Sequence, residues 1–115
     1  MTAVALTQGC YFLISGAWSL VHIDSFQKIT GPKHDLWLVK TVGSLLIAIG
    51  AGLILAGVRQ QFEPGLILIA MASAAALLAI EIVYVLKRVI SPIYLVDTAI
   101  ELGFILWWAA WLLKA

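Results

Sequence analysis

The stretch LWLVKTVGSLLIAIGAGLILAGV, residues 36–58, contains a single charged side chain, Lys40. A helix rises about 1.5 Å per residue, so a run of this length crosses the roughly 30 Å hydrocarbon core of a bilayer. Inside hydrocarbon every backbone N–H and C=O must find its partner within the segment, which makes the run a helix. Working outward, similar runs occupy 3–22, 65–86 and 93–113, joined by short connections. The 115 residues are 63% hydrophobic and 11% charged, against about 45–50% and 25% in a soluble domain. The expectation is an all-α integral membrane protein, a four-transmembrane-helix bundle forming one domain over 1–115, with the lipid bilayer as its partner. The first run has no Lys or Arg before it and is as long as a span, unlike a cleaved signal, so it is expected to remain in the mature chain.

The second and fourth runs open alike. Trp37-Leu38-Val39-Lys40-Thr41 matches Tyr94-Leu95-Val96-Asp97-Thr98, each a few residues after a proline. The match suggests two related helical hairpins, with Lys40 and Asp97 at equivalent places and facing each other. Thr30-Gly31-Pro32 and Ser91-Pro92 punctuate the chain before these helices, and Asp35 is placed to cap the second span. The segment 23–35 reads as the longest loop, and Glu63-Pro64-Gly65 closes the turn between the second and third runs.

Charges inside spans are costly and point to function or pairing. Lys40, Glu81, Asp97 and Glu101 all fall within spans, in the half nearest the 1–2 and 3–4 loops, at depths down to about 13 Å. His22 and Asp24 join them at the end of the first run. Three carboxylates therefore meet one lysine. At least one acid is left to be protonated, to share His22, or to hold a bound cation or ligand amine.

Helical spacing assigns faces. In the first run Gln8, Tyr11, Ser15, Trp18 and His22 form a polar stripe that either bonds neighbouring helices or lines a cavity. In the second, Ser44, Ala48, Gly52 and Ala56 recur every four residues, and Gly43, Gly50 and Gly57 every seven. Such small-residue faces let helices approach closely, within the chain or across a homodimer.

Several function classes receive no support. Cys10 is the single cysteine, so no intramolecular disulfide or multi-cysteine metal site can form. The net charge of +1 and the lack of a basic tail argue against nucleic acid. No metal-ligand spacing, nucleophile motif, phosphate-binding glycine loop or cofactor motif occurs, and the chain leans away from being an enzyme. Lys28, Lys33, Lys87 and Arg88 lie in the 1–2 and 3–4 connections, against Arg59 and Lys114 on the other side. Positive loops stay cytoplasmic, which places both termini away from the cytoplasm.

The combined pattern of Phe26, Thr30-Gly31-Pro32-Lys33, Asp35, Trp37-Leu38-Val39-Lys40, Val42-Gly43, Ile90-Ser91-Pro92-Ile93-Tyr94-Leu95-Val96-Asp97 and Glu101 resembles a group of small bacterial four-span proteins. The resemblance covers most of the chain and implies a bacterial inner-membrane location; it brings no activity with it. In size and in carrying acids within four helices, the chain is also similar in architecture to EXPERA-type sterol-binding and DoxX-like proteins, with no motif shared residue by residue.

These readings converge on an acidic intramembrane pocket that binds or transports a small amphipathic or cationic ligand. Glu81, Asp97 and Glu101 supply negative charge, Lys40 and His22 poise it, and Tyr11, Trp18, Tyr84 and Tyr94 wall it. The alternative is an accessory or assembly subunit of a larger membrane complex, its charges pairing helices.

Overall fold

The computed structural model describes residues 1–30 and 36–114, and these are all-α. The helices are α1 (Thr2–Val21), α2 (Ile23–Thr30), α3 (Leu36–Arg59), α4 (Pro64–Leu86) and α5 (Tyr94–Lys114). Four of them, α1, α3, α4 and α5, are long and apolar enough to cross a membrane, and their ends lie within a residue or two of the expected spans. The expected turn at Gly31-Pro32, the capping role of Asp35, and Lys33 and His34 fall outside the described residues.

Helix α2 corrects the reading of 23–35 as loop. The helical path is interrupted at His22, whose carbonyl accepts from the Phe26 N–H at 3.2 Å. The Trp18 Nε1–H donates to Ser25 Oγ at 2.8 Å, and Ser25 Oγ donates to the His22 carbonyl at 3.1 Å. The Phe26 ring meets Trp18 edge-on with centroids 5.2 Å apart. In an unbroken helix, residues seven or eight apart are separated by about 10–12 Å along the axis, so these contacts report a bend. With Ile23, Phe26 and Ile29 on one side and Asp24, Gln27 and Lys28 on the other, eight residues suffice for an amphipathic helix anchored on Trp18. Too short to register by periodicity, the segment is hidden in the sequence by its polar content.

The chain divides into two compact units, Thr2–Gln61 and Phe62–Ala115, so each hairpin is a unit in itself. In the first, α1 buries Ala5, Gly9, Phe12, Gly16 and Ser19, and α3 buries Gly43, Gly50, Leu53 and Gly57. The α1 set alternates steps of four and three and the α3 set steps by seven, three and four, the seam of antiparallel helices packed along their length. The close approach depends on paired glycines. A Cβ on Gly9 would stand 2.8 Å from the Gly50 carbonyl oxygen, and one on Gly50 would stand 2.6 Å from that of Gly9. Gly16 and Gly43 meet in the same way one heptad along. The seven-residue glycine row of α3 is therefore occupied by α1 of the same chain, whereas Ser44, Ala48 and Gly52 remain exposed.

Polar groups in these helices are largely satisfied by their own backbone. Thr7, Ser19, Ser44 and Ser73 hydroxyls donate to carbonyls three or four residues earlier, as hydrocarbon demands. The two matched segments make the same bond: Thr41 Oγ1 donates to the Trp37 carbonyl at 2.7 Å and Thr98 Oγ1 to that of Tyr94 at 3.1 Å. Each segment forms the opening turns of the returning helix of its hairpin.

Two spans end without glycine. Gln60 and Arg88 take φ of 53° and 59°, and the next N–H closes back on the last turn, Gln61 to Ala56 at 3.1 Å and Val89 to Tyr84 at 2.9 Å. This left-handed cap is normally glycine's position. Before α5, Ser91 Oγ accepts from the Ile93 N–H at 3.3 Å and the Ser91 carbonyl from Tyr94 at 3.1 Å, so Ser91-Pro92 starts the helix as expected.

The glycine seam yields a paired prediction. Gly50→Val forces a side chain against the Gly9 carbonyl and the Leu13 N–H and should lower stability by about 1–3 kcal/mol in a detergent unfolding titration. At Gly52 an added Cβ meets nothing within 4 Å, so Gly52→Ala should leave stability unchanged or raise it by up to about 1 kcal/mol.

Candidate functional site

The second hairpin has a seam of the same spacing with different contents. On α4 the buried positions are Ile67, Ala70, Ala74 and Glu81. On α5 they are Glu101, Phe104 and Trp108. Small residues on α4 face large ones on α5 over the half of the seam near the α3–α4 turn, where the Phe62 ring also meets Trp108 edge-on at 6.2 Å. The other half is carboxylic.

The acids come together because the helices are antiparallel. Asp97 and Glu101 are four residues apart on α5 and share a face. Glu81, one and a half turns before the end of α4, reaches the same level. Its Oε2 lies 3.3 Å from Oγ1 of Thr98, the residue next to Asp97, and shares that hydroxyl's one proton with the Tyr94 carbonyl. Glu101 sits one turn further along α5 on the same face as Asp97.

Burial is graded along the cluster. Asp97 is half-buried, Glu81 is 5% exposed, and Glu101 is completely covered. Neither carboxylate oxygen of Glu101 has a hydrogen-bond partner. A buried, unsatisfied charged oxygen is among the most costly features a protein can carry, and the one cation within these helices, Lys114, is at the far end of α5, with its Nζ over the Trp111 ring. Neither 64–86 nor 94–113 contains a Lys or Arg. Lys87, just past α4, is exposed and holds its Nζ over the Tyr84 ring, 5.7 Å from the centroid.

The sequence-derived site residues thus fall into two sets. Glu81, Asp97 and Glu101 are assembled by the second hairpin, with Tyr84 and Tyr94 at its loop-facing end. Tyr84 is exposed and Tyr94 half-buried. Tyr11, Trp18, His22 and Lys40 belong to the first hairpin. There Tyr11 packs its ring 6.5 Å from Phe12, Trp18 supports α2, and His22 and Lys40 are exposed. Thr98 stands beside Glu81 as well, a neighbour signalled in the sequence only by its place one residue after Asp97 in the matched segment. Gln8, expected in a polar stripe, is fully buried beside the glycine seam. Among the described residues no three His, Cys, Asp or Glu side chains are gathered closely enough to hold a metal ion.

Searched against protein-family models, curated proteins and solved structures, the chain matches none.

A carboxyl retained at a cost to packing makes a stability prediction opposite in sign to that for a structural ion pair. Glu101→Leu, of similar size and without polar atoms, should stabilise the protein by about 1–3 kcal/mol in detergent unfolding. Phe104→Ala, in the apolar half of the same seam, should destabilise it. Loss of stability in Glu101→Leu would assign Glu101 a structural partner instead.

Proposed function

We propose that this membrane protein binds a small amphipathic or cationic molecule at the acidic end of its second hairpin. The observation that carries this reading is Glu101, sealed in a helix seam with both oxygens unsatisfied and no Lys or Arg among residues 64–86 or 94–113 to answer it. A cationic group placed there supplies the missing charge and the missing donors together. Glu81 and Asp97 extend the negative surface toward the loop, Thr98 orients Glu81, and Tyr84 and Tyr94 offer amphipathic rings at the rim. Phe104 and Trp108, deeper in the seam, provide the apolar floor against which a hydrocarbon portion packs.

The site's loop end carries Lys87 and Arg88, and the positive-inside rule turns that end toward the cytoplasm. In a bacterium the corresponding location is the inner membrane, with both termini on the far side. Movement of the ligand across the bilayer would call for more than four helices, and therefore for a dimer.

A second reading, an accessory subunit whose face binds another membrane protein, draws on the exposed row Ser44, Ala48 and Gly52, which α1 leaves uncovered. The readings separate in solution. Cation binding by the chain purified alone in mild detergent supports the first; solubility or folding that depends on a heterologous chain supports the second.

Thermal-shift measurements on the purified protein test the ligand class. Lipophilic amines and quaternary ammonium or phosphonium ions should raise the melting temperature by several degrees, as expected when ligand exceeds its dissociation constant about a hundredfold. Lipids and quinones of similar size but no charge should not. Glu101→Gln should remain folded and lose most of the shift, and Asp97→Asn should remain folded and show a smaller one; an equal response to charged and uncharged compounds would contradict the proposal.

A further inference from the structure

The cation-binding reading leaves open what the seam does when empty, and the geometry answers it. Glu81 Oε2 lies 3.3 Å from the hydroxyl of Thr98, the residue next to Asp97, so two carboxyls stand at the loop end of the seam. Glu101 has no donor, no water-facing surface and no partner for either oxygen. The groups that face it are of one sign: Glu81 from α4 and Asp97 from its own helix, with the phenols of Tyr84 and Tyr94 nearer the loop. Lys87, the nearest cation along α4, is held outward over Tyr84.

We propose that protons and the cation are alternative occupants of this seam: Glu101 rests as the neutral acid and gives up its proton when the cation binds. This rests on the cation-binding reading and adds a coupling to it. The step conserves charge and electrons. The O–H bond of the acid breaks, its electron pair stays on the carboxylate oxygen that now faces the cation, and the proton leaves. No oxidant or reductant takes part. The exit follows the gradient of exposure, from covered Glu101 past the Glu81–Asp97 pair, 5% exposed at Glu81 and half-buried at Asp97, to the loop end.

Tetraphenylphosphonium is a suitable probe because its charge is permanent, so any proton released on binding comes from the protein. Equilibrium dialysis of the full chain in detergent gives the binding, and a pH indicator in weakly buffered solution gives the protons. Expected are about one proton released per cation bound and an affinity that rises up to about tenfold per pH unit while the acid remains protonated. Glu101→Gln, an isosteric change, should abolish most of the release and flatten the pH dependence, while Asp97→Asn should retain release from Glu101. Binding without proton release, or with affinity independent of pH, overturns the exchange and leaves cation binding standing. Undiminished release from folded Glu101→Gln overturns the assignment to Glu101. Absence of binding at every pH overturns both the exchange and the reading beneath it.

Discussion

A carboxyl group enclosed in a helix seam, without water or hydrogen-bond donors, has to be neutral or to face a cation, because the ionised form alone is too costly to bury. Glu101 is in that position, and the character of the second hairpin depends on it. Were the residue apolar, α4 and α5 would close as an ordinary small-against-large seam from Trp108 to Thr98. With it, the seam has a packed half and a chemically unsatisfied half. The division falls along the helix axis, so the acids gather at the end of the hairpin nearest the α4–α5 connection and the bulky apolar residues at the other.

The first hairpin solves the same packing problem with nothing left over. Gly9, Gly16, Gly43 and Gly50 remove side chains where the backbones cross, and the serine hydroxyls bond within their own helices. Between helices in lipid, where apolar burial gives little drive, such close backbone approach supplies the attraction. Two hairpins opening their returning helices with related segments thus carry different duties: Lys40 is exposed in the first copy, while Asp97 is drawn into a cluster in the second. Each threonine closes onto the residue four before it, so the shared segment preserves a helix start, and the charge one residue earlier is the part that varies.

Much of this was legible in the sequence because hydrocarbon narrows the choices. Runs lacking charge gave the four long helices nearly to the residue, and heptad spacing marked the glycine row of α3 as a contact. Four-residue spacing put Asp97 and Glu101 on one face, and the antiparallel return brought Glu81 to them. Other features were hidden for physical reasons. Helix α2 is held by tertiary bonds from Trp18 that no local pattern announces. The left-handed caps at Gln60 and Arg88 occur where glycine would have been the signal. Which acid would be sealed and which half-open depended on neighbouring bulk at Phe104 and Trp108. Counting charges over the whole chain also drew in Tyr11, Trp18, His22 and Lys40 of the first hairpin, whereas the acids stand with Tyr84 and Tyr94 in the second.

The protonation state of Glu101 decides the account most directly. Infrared difference spectroscopy of the ligand-free protein in lipid, comparing wild type with Glu101→Gln at neutral pH, reads the carbonyl stretch that distinguishes a neutral carboxylic acid from a carboxylate. The predicted result is a protonated-acid band in the wild type that is missing from the variant and survives when bulk water is exchanged briefly for deuterium oxide. A wild-type spectrum in which that position contributes a carboxylate band would contradict the account, since Glu101 would then have found a partner or water that its seam does not provide.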